Sequence, residues 1–268
     1  MMHEIIAHYT EAKSSEGPNE DRLVVTESFV AVVDGATAKA PYSAEEFGDS
    51  TPGAVAARLI AETVEGLPPG ASEREAVDAF TESLSGWKDL AAPPTASVTV
   101  YSSARREIWV VGSAMVRVDS RNYAFEPLHE KYAAGTRASY LMSLLSQGHD
   151  PDELRRTDPG RELILPLLRN EKALRNVDTE APWHFGGIDG RHVPDRFLSC
   201  VRVSAGARVT LASDGYPELF GTFEQTEENL AHVLAADPLM VGAYPKTKPL
   251  RPGAGSFDDR TYVQFLVR

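Results

Sequence analysis

Four short acidic motifs are spread along this chain: Asn19-Glu20-Asp21-Arg22, Val32-Val33-Asp34-Gly35, Ala212-Ser213-Asp214-Gly215 and Phe257-Asp258-Asp259-Arg260. Each lies at the edge of an apolar, strand-like run. Asp34 closes residues 29–33 and Asp214 closes 209–213, and neither has a basic partner adjacent in sequence. An unpaired carboxylate at the end of a buried strand is costly, so something positive is expected to meet these side chains. Divalent cations take hard oxygen ligands of this kind. The glycine after Asp34 and after Asp214 permits close backbone approach, even a carbonyl ligand. One Asp-Gly pair alone is ordinary turn chemistry. Four such motifs, each at a strand end, point to metal-assisted hydrolysis of a phosphate ester.

The elements that must carry these groups follow from the apolar spacing. Ile5, Ala7 and Tyr9 alternate as a strand, and 23–26 with 29–33 form a hairpin around Glu27-Ser28. Val55, Leu59, Ile60 and Val64 share one face of a helix over 53–65. Ser72 with Glu75 three residues on makes a capping box for a second helix through Leu84. From Thr95 the period changes to two: Ala96, Val98 and Val100 alternate, 108–111 follows a turn, and Met115, Val116 and Val118 continue the meander. Residues 136–176 read as helix broken at Pro151, Pro159 and Pro166. Strands return at 197–203 and 209–213, a helix at 226–236, a Pro/Gly-rich loop at 245–255 and a closing strand at 261–267. Ligand candidates at both ends favour a single domain, 1–268, that closes on itself.

Composition narrows the classes. A chain of 268 residues with 42% hydrophobic and 25% charged residues suits a globular protein with a substantial core. The net charge of −12 argues against nucleic-acid and anionic-membrane partners, which call for a basic face. The one cysteine, Cys200, excludes an internal disulfide and reads as a buried, inert thiol. No signal-peptide core and no membrane-length apolar run is present, so a cytoplasmic location is expected. His3 and His8 point to opposite faces of one strand and make no zinc pair. Gly112-Ser113 lacks the Gly-x-Ser-x-Gly frame of a nucleophile elbow. Asp34 is followed two residues on by Ala36, not by the second aspartate of a haloacid-dehalogenase-type phosphatase.

In order, Asn-Glu-Asp-Arg, Val-Asp-Gly, an alternating strand entering a Val-Gly turn, Leu-Ala-Ser-Asp-Gly and a final Asp-Asp-x-Thr resemble the protein phosphatase 2C-like (PPM) metal-dependent serine/threonine phosphatases. The likeness spans 19–267. It implies an α+β fold, a four-layer α-β-β-α sandwich of two antiparallel sheets flanked by helices. It also implies two Mn²⁺ or Mg²⁺ ions bridged by Asp34, with the Gly35 carbonyl, Asp214 and Asp258 as further ligands. Glu20 and Asp21 would act largely through waters, Asp21 orienting the nucleophile. The implied reaction is hydrolysis of a phosphoserine or phosphothreonine protein by a metal-activated water, with no phosphoenzyme.

The chain departs from the pattern at three places. The Val-Gly-Asp turn reads Val111-Gly112-Ser113, which makes a third ion doubtful. The arginine ahead of the first motif is Glu16, leaving Lys13, Arg22 or Lys39 to meet phosphate. Ala36 stands where some eukaryotic members carry histidine, as in bacterial members. Between Asp258 and Asp259, motif register favours Asp258. Trp183-His184-Phe185 with Gly186-Gly187 reads as packed strand or turn, at the place where the resembling family often carries a flap. Two alternatives stay open at this point: a non-catalytic phosphatase-like binding or scaffold protein, or a phosphatase of a small phosphorylated metabolite.

Overall fold

Ten strands are laid down along the chain in the computed structural model, which describes residues 3–268. They are β1 (His3–Glu11), β2 (Asp21–Val25), β3 (Phe29–Gly35), β4 (Ala96–Ser102), β5 (Glu107–Val111), β6 (Ala114–Val118), β7 (Arg121–Phe125), β8 (Ser199–Arg202), β9 (Arg208–Ala212) and β10 (Arg260–Val267). They form two five-stranded antiparallel sheets, ordered β1-β10-β9-β6-β7 and β2-β3-β4-β5-β8. The helices are α1 (Ala44–Phe47), α2 (Pro52–Gly66), α3 (Glu73–Leu84), α4 (Leu128–Ser146), α5 (Pro151–Thr157), α6 (Pro159–Arg169) and α7 (Phe223–Ala236).

β3 shows why the layers stack as they do. Its residues from Phe29 to Val33 are all buried, so both of its faces must be covered. Ala31 and Val33 pack outward against Ile60 and Val64 of α2 and Phe80 of α3. Val30 and Val32, on the opposite face, meet Leu211, Val263 and Phe265 of the other sheet. Tyr262 and Ala212, on that sheet's far side, are covered by Leu230 and Leu234 of α7. The result is the expected four-layer α-β-β-α sandwich. Capping fixes the helices on its flank: the Thr51 hydroxyl accepts from the Ala54 N–H ahead of Pro52, and the predicted Ser72/Glu75 box starts α3.

Four expectations need correction. β5 and β6 do not continue one meander; the chain crosses between sheets at Gly112-Ser113, turning through a positive φ of 91° at Gly112. Pro166 does not break a helix but lies inside α6, whose Ile164 and Leu168 pack on Ala133 of α4 strongly enough to tolerate the missing donor. Pro151 and Pro159 open helices rather than ending them, because the first helical position has no partner for its N–H. Cys200 is exposed, on the edge strand β8, where burial of part of its surface and the Glu107 charge raise the thiol to about 11.

Candidate active site

Asp34 has the same side-chain parity as Val30 and Val32, so it emerges where the gap between the sheets opens. Asp21 lies directly opposite it on β2, and Ser97 directly opposite on β4. Such pairs share a face. From the other sheet, Asp214 follows the end of β9 and Asp258 precedes the start of β10, and the two strands pair Tyr262 with Ala212. Both therefore leave at the same end. Burial pushes the Asp34 carboxyl well above the ordinary carboxylate range, and the charges of Asp21, Asp214 and Asp258 push it further. Asp21 is raised to about 8, by burial first and then by Asp258 and Asp259, against the pull of the Ser213 and Thr261 hydroxyls. Its Oδ2 is buried with no hydrogen-bond partner. Asp34, Asp214 and Asp258 line a cavity of about 100 Å³ together with Lys39, Lys248 and Ser113.

The remaining sequence candidates take distinct places. Glu20 is only 4% exposed and lies off the cavity wall. Its Oε1 accepts from the Thr51 hydroxyl at 2.6 Å, and its Oε2 from the Thr37 hydroxyl at 2.6 Å and Lys13 Nζ at 3.1 Å. Glu20 thus pins the loop after β3 to the start of α2. Gly35 donates its N–H to the Glu20 carbonyl at 2.9 Å, and a Cβ there would overlap the Gly53 carbonyl of α2. Among the three basic candidates, Lys39 alone lines the cavity, with its Nζ donating to the Thr37 carbonyl at 2.6 Å. Burial and the nearby Lys248 and Arg161 lower its pKa, while Glu171 and Glu130 partly offset them. Lys13 is held among carboxylates: Asp259 at 2.8 Å, Glu20 at 3.1 Å and Asp258 at 3.6 Å. Arg22 donates to the carbonyls of Asn19 and Asp21 at 2.8 and 2.7 Å. Asp258 faces the cavity, whereas Asp259 is buried and accepts the Lys13 N–H behind it.

Sequence reasoning missed Lys248, whose Nζ stands 2.6 Å from Asp258 Oδ1. It also missed Arg161, Glu130 and Glu171 on the cavity wall. Burial opposes ionisation of Asp258, but Lys248 and Lys13 hold it down to about 2. Lys248 sits in the Pro/Gly-rich loop, where no periodicity assigns a direction. The Phe185-Gly186-Gly187 segment does line the cavity, with Phe185 stacked on His129 at 4.1 Å. Trp183 instead packs edge-on to Tyr132 and is 44% exposed. Ser113 lines the cavity with its hydroxyl 3.2 Å from that of Ser97.

Hard oxygen donors around a buried, unpartnered carboxylate oxygen fit a divalent cation. Among the described residues no three His, Cys, Asp or Glu side chains already form a group that could hold one ion. The donors suit a cation that keeps part of its shell as water, as Mg²⁺ does when one or two carboxylates hold it.

A sandwich of two five-stranded antiparallel sheets flanked by helices is the fold of the PPM serine/threonine phosphatases. The chain is similar over 98% of its length, and 97% of the other's, to the Mycobacterium tuberculosis serine/threonine phosphatase PstP/Ppp, at 16% identity and a TM-score of 0.51. It is likewise similar to the PstP catalytic domain in complex with two manganese ions, at 16% identity over 97% and 96% of the chains, with a TM-score of 0.50. The PPM Ser-Thr phosphatase MsPP from Mycobacterium smegmatis, in complex with cacodylate, matches at 14% identity over 99% and 100% of the chains, with a TM-score of 0.50. At these identities the likeness is one of fold. Neither a family model nor a curated protein matches the sequence.

Proposed function

We propose that this protein is a metal-dependent phosphomonoester hydrolase acting on phosphoserine or phosphothreonine in proteins. The observation that carries the reading is the convergence of Asp34, Asp214 and Asp258 from two sheets onto one cavity mouth that also presents Lys39 and Lys248, with Asp21 buried opposite Asp34 on the neighbouring strand. The manganese-bound and cacodylate-bound relatives support it, since cacodylate offers oxygens around a central atom much as a phosphoryl group does.

Asp34 and Asp214, with the Gly35 carbonyl, are the groups that would hold Mn²⁺ or Mg²⁺, and Asp258 extends the acidic rim. A cation held there supplies charge for the phosphoryl oxygens and lowers the pKa of water. Asp21, paired opposite Asp34, would orient the attacking water in line with phosphorus. Lys39 and Lys248 meet the phosphoryl oxygens as charge-assisted donors. Glu20 works by position: its bonds to Thr37 and Thr51 keep the loop carrying Gly35 against α2. No side-chain nucleophile is required, and Cys200 lies off the cavity wall.

The test is hydrolysis of p-nitrophenyl phosphate by metal-stripped protein titrated with Mn²⁺ and Mg²⁺, beside Asp34→Ala. Turnover should return with metal, and the variant should lose about 100-fold or more, the scale of losing several kcal/mol of transition-state charge stabilisation. Turnover that ignores metal, or survives in the variant, overturns the proposal.

A further inference from the structure

The aspartates around the mouth, with Glu20 and Asp259 behind it, fall into two groups with different electrostatic partners. On one side, Lys248 Nζ stands 2.6 Å from Asp258 Oδ1. Lys13 Nζ stands 2.8 Å from Asp259 and 3.1 Å from Glu20, and is also 3.6 Å from Asp258. Two ammonium groups of the chain thus neutralise much of three carboxylates. On the other side, no ion pair joins Asp21, Asp34 or Asp214 to a basic side chain among the described residues. Lys246, two residues before Lys248, donates to the Asp214 main-chain carbonyl at 3.0 Å and not to its carboxylate. Asp21 Oδ2, on a residue 2% exposed, is left with no partner. The carboxylates with no ammonium partner are therefore Asp21, Asp34 and Asp214, with Glu130 on the same cavity wall.

We propose that Lys248 takes the place of a second divalent cation, so that the centre binds one Mn²⁺ or Mg²⁺ per chain. This rests on the reading of the site given above. A magnesium-type ion needs its oxygens at about 2.0–2.1 Å, and Asp258 Oδ1 is already engaged by an ammonium group. A cation on that oxygen would confront Lys248 at a few ångströms, where like charges repel strongly. Ser113, which lines the cavity, adds a hydroxyl where a further carboxylate could have drawn in another ion. Lys248 carries its charge at the end of a flexible stem, so it can offset Asp258 and still offer donors to a phosphoryl oxygen. Replacing it with a neutral side chain removes the nearer of two ammonium groups from Asp258, leaving Lys13 at 3.6 Å, and opens that carboxylate to metal.

The test is calorimetric titration of the metal-stripped protein with Mn²⁺ to saturation, together with electron paramagnetic resonance of the loaded sample. The expected result is one ion and an isolated Mn²⁺ spectrum for the native chain, rising to two ions and an exchange-coupled pair in Lys248→Met. Lys248→Gln serves as a second neutral replacement, and circular dichroism confirms that both variants fold. Two ions in the native chain would overturn this inference and leave the proposed function standing. One ion in the native chain and in both variants would remove Lys248 from the role. Absence of Mn²⁺ binding in the native chain would overturn both proposals.

Discussion

Glu171 sits on the cavity wall with Arg175 Nη2 at 2.7 Å and His129 Nε2 at 3.8 Å. Burial alone would raise its carboxyl, but His129, Lys39 and Arg175 hold it down to about 2 from the ordinary 4.5. Its folded value lies below the unfolded one, so its contribution is complete above pH 4.5 and is lost as pH falls towards 2. A gap of that size corresponds to roughly 3 kcal/mol. Glu171→Gln should therefore lower stability at neutral pH by a few kcal/mol and flatten the acid limb. Urea unfolding at several pH values checks this, and a variant as acid-sensitive as the native chain would contradict it. The acidic residues of the mouth were legible in sequence because a carboxylate at the end of an apolar run is an anomaly that calls for a partner. Of the basic residues on the cavity wall, Lys39 was named from sequence, whereas Lys248 and Arg161 were not, because they come from a loop and a helix whose direction depends on tertiary packing.

At the scale of elements, the contact of β3 with α2 governs where Asp34 points. Gly35 lies against the Gly53 carbonyl with no room for a Cβ, and the obstacle is backbone rather than a flexible side chain. Gly35→Ala must push α2 away or twist the end of β3. It should cost on the order of 1–3 kcal/mol, as overpacking does, and weaken metal affinity. Gly17→Ala, with open space around it, should leave both unchanged. Thermal unfolding and Mn²⁺ titration of the two variants read the difference. Most strands and the capped helices were legible from period and cap chemistry. The crossing from β5 to β6 was not, because alternation marks a strand without naming its sheet. Pro166 was misread for a similar reason: packing of α6 on α4 outweighs a local propensity that sequence alone registers.

The whole molecule makes its candidate site only when both sheets are docked, since Asp21 and Asp34 belong to one and Asp214 and Asp258 flank strands of the other. Phe265 stands at that interface, fully buried, with Tyr101 of the opposite sheet at 4.8 Å and His3 at 5.9 Å. Phe265→Ala should cost about 3–5 kcal/mol and loosen metal binding although it touches no ligand. Denaturant unfolding and Mn²⁺ calorimetry read the two effects, and unaltered stability would mean the sheets do not depend on this contact. The reading of 1–268 as one domain predicts that site and core are lost together. No helix among the described residues is long and apolar enough to cross a membrane. The buried run of β3 was legible in sequence, whereas the layer order came only with the family resemblance, because a short apolar run does not say what covers each face.

The central claim is that carboxylates gathered from two sheets support hydrolysis of phosphorylated serine or threonine with a divalent cation. The measurement that tests it most directly is phosphate release from a phosphothreonine peptide by metal-stripped protein as Mn²⁺ is restored, with Asp34→Asn alongside. Release that rises with Mn²⁺ in the native chain and is abolished in the variant is the predicted result. Phosphate release equal in both proteins, or none at saturating Mn²⁺ in a natively folded chain, would contradict it.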